Sequence, residues 1–202
     1  MHWRSCDDGD YGRLVSQDEL AETLADVDRL FSFQAAKLAD LARNRRLLEA
    51  VQTGAVEHAD PYIRRSCLWA LDHYANDESM HTFAAALTDD VHFVRDIALH
   101  SIACDSCKCQ PAEADAIVQP LIEVLAKDPK PDLCIKALSV LLRFVDRDDV
   151  GAALHHASRA NTDPVVRRCA ADALAGHFTP PKKRYERSQR RHAAMGHGTP
   201  QR

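Results

Sequence analysis

The sequence predicts an all-α fold, an α-solenoid of stacked antiparallel helix pairs, on three observations. A twelve-residue pattern recurs four times along the 202 residues. Its apolar positions draw a single helical stripe, and the copies stand as far apart as a two-helix unit requires. Alanine and leucine abound while glycine totals seven, which favours helices over turns and strands.

The copies are DPYIRRSCLWAL from Asp60, VHFVRDIALHSI from Val91, PDLCIKALSVLL from Pro131 and DPVVRRCAADAL from Asp163. Anchored on Ile63, Val94, Leu133 and Val166, they place Cys67, Ala98, Ala137 and Ala170 four residues later, and Leu71, Ile102, Leu141 and Leu174 eight residues later. Offsets of zero, four and eight share one face of a helix. The anchors lie 31, 39 and 33 residues apart, room for a second helix and two short loops.

Each element has a local reason. Residues 1–15 form an N-terminal arm, and SQDELAETLADVDRLF opens with a capping box at Ser16 and Glu19. The stretch QAAKLADLARNRRLLEAV carries the helical pattern to about Val51, so 16–52 reads as a helical cap. Repeat units follow at about 60–88, 90–127, 131–160 and 163–177. Asp60-Pro61 and Asp163-Pro164 supply an N-cap followed by a first-turn proline. The second helices are ESMHTFAAAL, EADAIVQPLIEVLA and VGAALHHASRA, with Pro120 expected to kink its helix or mark a late start. Where Ala or Cys stands at offset four, helix backbones can approach closely while the branched residues on either side fill space.

The pattern Asp-Pro-x-Val-Arg-x-x-Ala-x-x-Ala-Leu, best preserved from Asp163 to Leu174, resembles the signature of HEAT and HEAT-like repeat proteins. The resemblance covers roughly residues 60–175. It implies a HEAT-like, armadillo-type superhelix and a role in binding a protein partner. The third unit departs most, with Cys134 where Arg64, Arg95 and Arg167 stand in the others. Some HEAT-like enzymes hold a di-iron centre in repeated His-Glu pairs, and no such pair occurs in this sequence.

Charge divides the chain. Residues 178–202 contain seven basic residues and one acid, a net +6, so the overall −4 leaves −10 for the rest. A disordered basic tail on an acidic body is the expectation, and nucleic acid or another anion is a partner only through Lys182, Lys183, Arg184, Arg187, Arg190 and Arg191. No run of 18 apolar residues occurs. MHWRSCDDGD lacks the basic start and apolar core of a secretory leader, so none is expected, and seven irregularly spaced cysteines suit reduced thiols. A cytoplasmic location and no membrane contact are expected.

Two constellations compete for chemistry. Arg64, Arg95 and Arg167 recur beside acids such as Asp60, Asp90 and Asp163, which reads as a ladder of structural ion pairs more than a phosphate-binding stripe. Arg65 and Arg168 are left for solvent. The stretch HSIACDSCKC offers His100, Cys104, Cys107 and Cys109, four ligands of the kinds a structural zinc takes. Because all four are local, unliganded thiols, a bound zinc and a labile disulfide all stay open. Adjacent His155 and His156 point about 100° apart on a helix and cannot easily share an ion. No phosphate-binding glycine loop or nucleophile elbow is present. The function expected is therefore a non-catalytic scaffold or adaptor, with no cofactor unless zinc fills the cysteine stretch.

Overall fold

The computed structural model describes residues 41, 43–104 and 113–179, and every regular element among them is helical. They are α1 (Arg45–Glu57), α2 (Pro61–Tyr74), α3 (Met80–Ala86), α4 (His92–Ala103), α5 (Ala114–Lys127), α6 (Pro131–Leu141), α7 (Asp148–Ala160) and α8 (Pro164–Leu174). Short 3-10 turns precede α3 and follow α6. None of these helices is long and apolar enough to cross a membrane. The expected N-terminal arm, most of the 16–52 cap and the basic run fall outside the described residues.

Side chains fix where several helices begin. Asn44 accepts a hydrogen bond from the Leu47 N–H at 3.2 Å, so α1 starts at Arg45 rather than continuing the upstream pattern. It then runs past the expected end near Val51, because Gly54 and Ala55 are buried and small enough for close packing. Asp60 accepts from Tyr62 N at 2.8 Å, and Asp163 from Val165 N and Val166 N at 2.8 and 3.1 Å, each followed by proline as the first helical residue. Helix α5 begins at Ala114, so Pro120 lies within the helix and does not mark a late start.

The helices form two layers. Chain neighbours pack as α1–α2, α3–α4, α5–α6 and α7–α8. The even helices also contact one another in order, α2 to α4 to α6 to α8, as do the odd helices α1 to α3 to α5 to α7. A continuous apolar core fills the space between and along the layers.

The stripe read from the sequence is the core stripe of the even layer. Cys67, Ala98, Ala137 and Ala170 are all fully inaccessible, as are Val94, Val166, Leu71, Ile102 and Leu141, and Leu133 nearly so. Ile63 is half-buried and Leu174, at the end, is 38% exposed. A second stripe, five residues after the anchor, holds Leu68, Leu99 and Leu138, at most 1% exposed. In α8 the same position is Ala171, and it is exposed. The internal even helices are thus buried on two faces, and α8 on one.

This arrangement explains Arg65, which was expected in solvent. It is only 6% exposed on α2, which packs against α4, whereas the matching Arg168 on α8 is exposed.

Core substitutions separate the two faces. Leu138→Ala should cost about 2–5 kcal/mol and Ala137→Leu about 1–3 kcal/mol, while Ala171→Leu should stay within about 0.5 kcal/mol. Urea unfolding followed by circular dichroism checks this. Equal effects of the Ala137 and Ala171 variants would contradict the layer assignment.

Candidate functional site: an arginine ladder and a buried carboxylate

The loops entering the even helices share one construction. The residue three before the first helical position is His58, Asp89, Asp128 or Asn161. Its side chain accepts a hydrogen bond from the backbone N–H two residues on, at 3.0 Å to Asp60, 2.8 Å to Val91, 2.8 Å to Lys130 and 2.9 Å to Asp163. These side chains close tight turns and carry the chain from the odd layer to the even one.

Arginine ties each turn to its neighbours. Arg64 donates from Nε and Nη2 to the two carboxylate oxygens of Asp89 at 2.6 and 2.8 Å, and from Nη2 to Asp90 at 3.0 Å. Its Nη1 donates backward to the carbonyls of His58 and Ala59 at 2.7 and 3.1 Å. Arg95 repeats the scheme, holding Asp128 at 2.7 and 3.0 Å and the Asp89 and Asp90 carbonyls at 2.8 and 3.2 Å. One guanidinium therefore clamps its own entry loop and the next loop together, using the planar fork that lysine lacks.

The acceptors differ from those expected. Sequence position suggested Asp60, Asp90 and Asp163, and only Asp90 takes part, as the outlying member beside Asp89. Asp60 and Asp163 cap helices instead. A readable signal existed: the acceptors Asp89 and Asp128 hold the one polar position three residues ahead of each even helix.

These pairs are buried, with side-chain exposures of 9% and 6% for Arg64 and Asp89 and 9% and 3% for Arg95 and Asp128. Hydrogen bonding to Asp89 holds the Arg64 guanidinium above its usual range. Burial pushes the Asp89 carboxyl up, but the hydrogen bonds from Arg64 and Val91 prevail and it ends below its ordinary value. A depressed carboxylate contributes stability in full above its unfolded pKa of about 3.9, and that contribution is lost as pH falls through the lower folded value.

The third rung is neutral on both sides. Cys134 replaces the arginine, and its Sγ lies 3.4 Å from the Asp128 carbonyl and 3.5 Å from that of Val124. Asn161 replaces the aspartate and donates from Nδ2 to the Leu125 carbonyl at 2.9 Å. Burial, with the nearby Asp128, pushes the Cys134 thiol up to about 11 against an opposing hydrogen bond from Asn161. Burial also raises Cys67 and Cys169. All three thiols are thereby made poor nucleophiles at neutral pH. Arg167 keeps the backward half of the clamp, to the carbonyls of Asn161 and Thr162 at 2.7 and 3.1 Å.

Of the cysteine stretch, His100 lies on α4 and Cys104 caps its C-terminus through a backbone hydrogen bond to the His100 carbonyl at 2.8 Å. Cys107 and Cys109 lie outside the described residues, as do Lys182, Lys183, Arg184, Arg187, Arg190 and Arg191. The His100 ring turns toward a group the sequence reading missed. Asp72 on α2 is fully inaccessible. Its Oδ1 accepts from Asn76 Nδ2 at 2.6 Å, while Oδ2 has no hydrogen-bond partner. His73 Nδ1 is 3.8 Å and His100 Nε2 3.9 Å from Oδ2. The His73 Nδ1 donates to the Trp69 carbonyl at 2.9 Å, and its ring stacks on Trp69. Among the described residues no group of three or more His, Cys, Asp or Glu side chains is placed to hold a metal ion. His155 and His156 are exposed on α7.

No protein-family model matches the chain, and neither a curated protein nor a solved structure matches it.

The neutral rung generates a paired test. Cys134→Arg alone should destabilise the protein by about 1–3 kcal/mol, since a buried guanidinium would face an amide that cannot neutralise it. Adding Asn161→Asp should recover at least half of that loss in denaturant unfolding. A double variant no more stable than Cys134→Arg would contradict the pairing.

Proposed function

We propose that this chain is a HEAT-like α-solenoid that serves as a non-catalytic scaffold for a protein partner. The observation that carries the reading is the repetition of one joint. The same arginine clamp links successive entry loops of the even layer, and the same small and branched positions fill its core. Such register-locked wiring is what a chain of stacked units needs, each contacting mainly its neighbours. It also commits the recurring arginines to structure, so they are not a stripe for phosphates.

The unpaired thiols of Cys67, Cys134 and Cys169 fit a reducing compartment such as the cytoplasm. Binding falls to exposed side chains on the outer face of the odd helices, where the core stripe makes no demand. A scaffold of this kind uses extended surface rather than a deep cleft.

Affinity capture on the immobilised full chain, followed by light scattering of the reconstituted pair, tests this. A protein retained in fixed stoichiometry is the expected result. A preparation that retains no partner yet turns over a substrate would contradict the scaffold reading.

A further inference from the structure

The rim formed by the entry loops carries a surface that the core and the ladder do not use. Tyr62, in the first turn of α2, is 59% exposed, the most exposed large apolar side chain among the described residues. Its ring stacks on Phe93 at 5.1 Å between centroids, and His92 meets the edge of Phe93 at 5.8 Å. Three aromatic rings thus run from the start of α2 to the start of α4. Carboxylates bracket them. Asp60 is exposed beside Tyr62, and the Asp90 side chain is 87% exposed beside His92, with only one edge toward Arg64. Aromatic faces framed by carboxylates suit an arginine-rich segment, which gains cation–π contact and charge pairing together.

We infer that this rim is the docking site for Arg190 and Arg191 of the same chain. Charge favours it: residues 178–202 hold seven basic residues against one acid, and the remainder of the chain is acidic overall. Geometry permits it. After α8 the chain reverses at Gly176, whose φ of 72° is left-handed, and the His177 N–H donates to the Asp172 carbonyl at 2.8 Å. Phe178 then packs against the core. Returning along α8 spans about 16 Å. Crossing α6 and α4 to reach α2 adds about 10 Å per helix, giving a diagonal of roughly 34 Å. From Thr179 an extended chain covers about 3.3 Å per residue, so Arg190 and Arg191 reach Tyr62 and Phe93 whereas Lys182 to Arg184 do not. This inference does not depend on the scaffold reading, because the rim lies on the even layer and not on the outer face of the odd helices.

The test uses the full chain with a photo-reactive benzoylphenylalanine in place of Gln189, irradiated at low ionic strength and mapped by mass spectrometry. Adducts within one chain at residues 58–62 or 90–93 are expected, and they should be lost in 0.5 M salt, where the Debye length falls to a few ångströms. The Asp60→Asn, Asp90→Asn double variant should also lose them. Asn caps a helix about as well as Asp, so this variant removes charge without removing the α2 cap, and circular dichroism verifies its fold. No adduct, adducts confined to other residues, adducts between two chains, or adducts unchanged in the double variant would each overturn the assignment.

Discussion

The structure depends on a planar cation placed one residue after the first core position of an even helix. From there a guanidinium reaches backward to two loop carbonyls and forward to the carboxylate of the next loop, as Arg64 does to Asp89 and Arg95 to Asp128. Hydrogen bonds from one side chain fix the distance and the turn between consecutive even helices. In net energy such a buried pair is worth little more than a hydrophobic contact of equal volume, because both ions lose their hydration. Its value is directional. Apolar faces of alanine and leucine would tolerate several registers, and the fork accepts one.

From that joint the rest of the packing follows. Once the entry loops are pinned, each even helix descends with its small offset-four residue buried, and Cys67, Ala98, Ala137 and Ala170 are all inaccessible. The second buried stripe of Leu68, Leu99 and Leu138 exists because another even helix covers it, and the exposed Ala171 marks where that cover stops among the described residues. The third rung shows that the joint conserves charge balance more than residue type. When Cys134 takes the arginine's place, Asn161 takes the aspartate's, and no buried ion is left alone.

Much of this was legible in the sequence, and for physical reasons. The helical stripe, the proline starts and the recurrent arginine are local signals, and the helices α2, α4, α6 and α8 fall where those signals put them. The acceptors were not legible by proximity, since Asp89 and Asp128 stand 25 and 33 residues from their arginines and become neighbours only through stacking. The start of α1 at Arg45 turns on a local cap, Asn44, that the longer helical pattern hides, and its run beyond Val51 turns on the burial of Gly54, a tertiary fact. Asp72 gave no warning, because a single aspartate eight residues after an arginine has no pattern. Its burial between His73 and His100 comes from two helices meeting. His100 is one of the four residues that the sequence offers to a possible zinc, and its ring lies beside that carboxylate.

Arg95 and Asp128 act as one energetic unit, each neutralising the buried charge of the other. The most direct measurement is a double-mutant cycle on Arg95→Ala and Asp128→Ala by equilibrium unfolding. Each single variant should cost about 3–5 kcal/mol, since each strands a buried charge, and the double variant should cost about as much as either alone. Additive losses, with a coupling energy below about 0.5 kcal/mol, would show that the two side chains act independently and that the ladder does not hold the even helices in register.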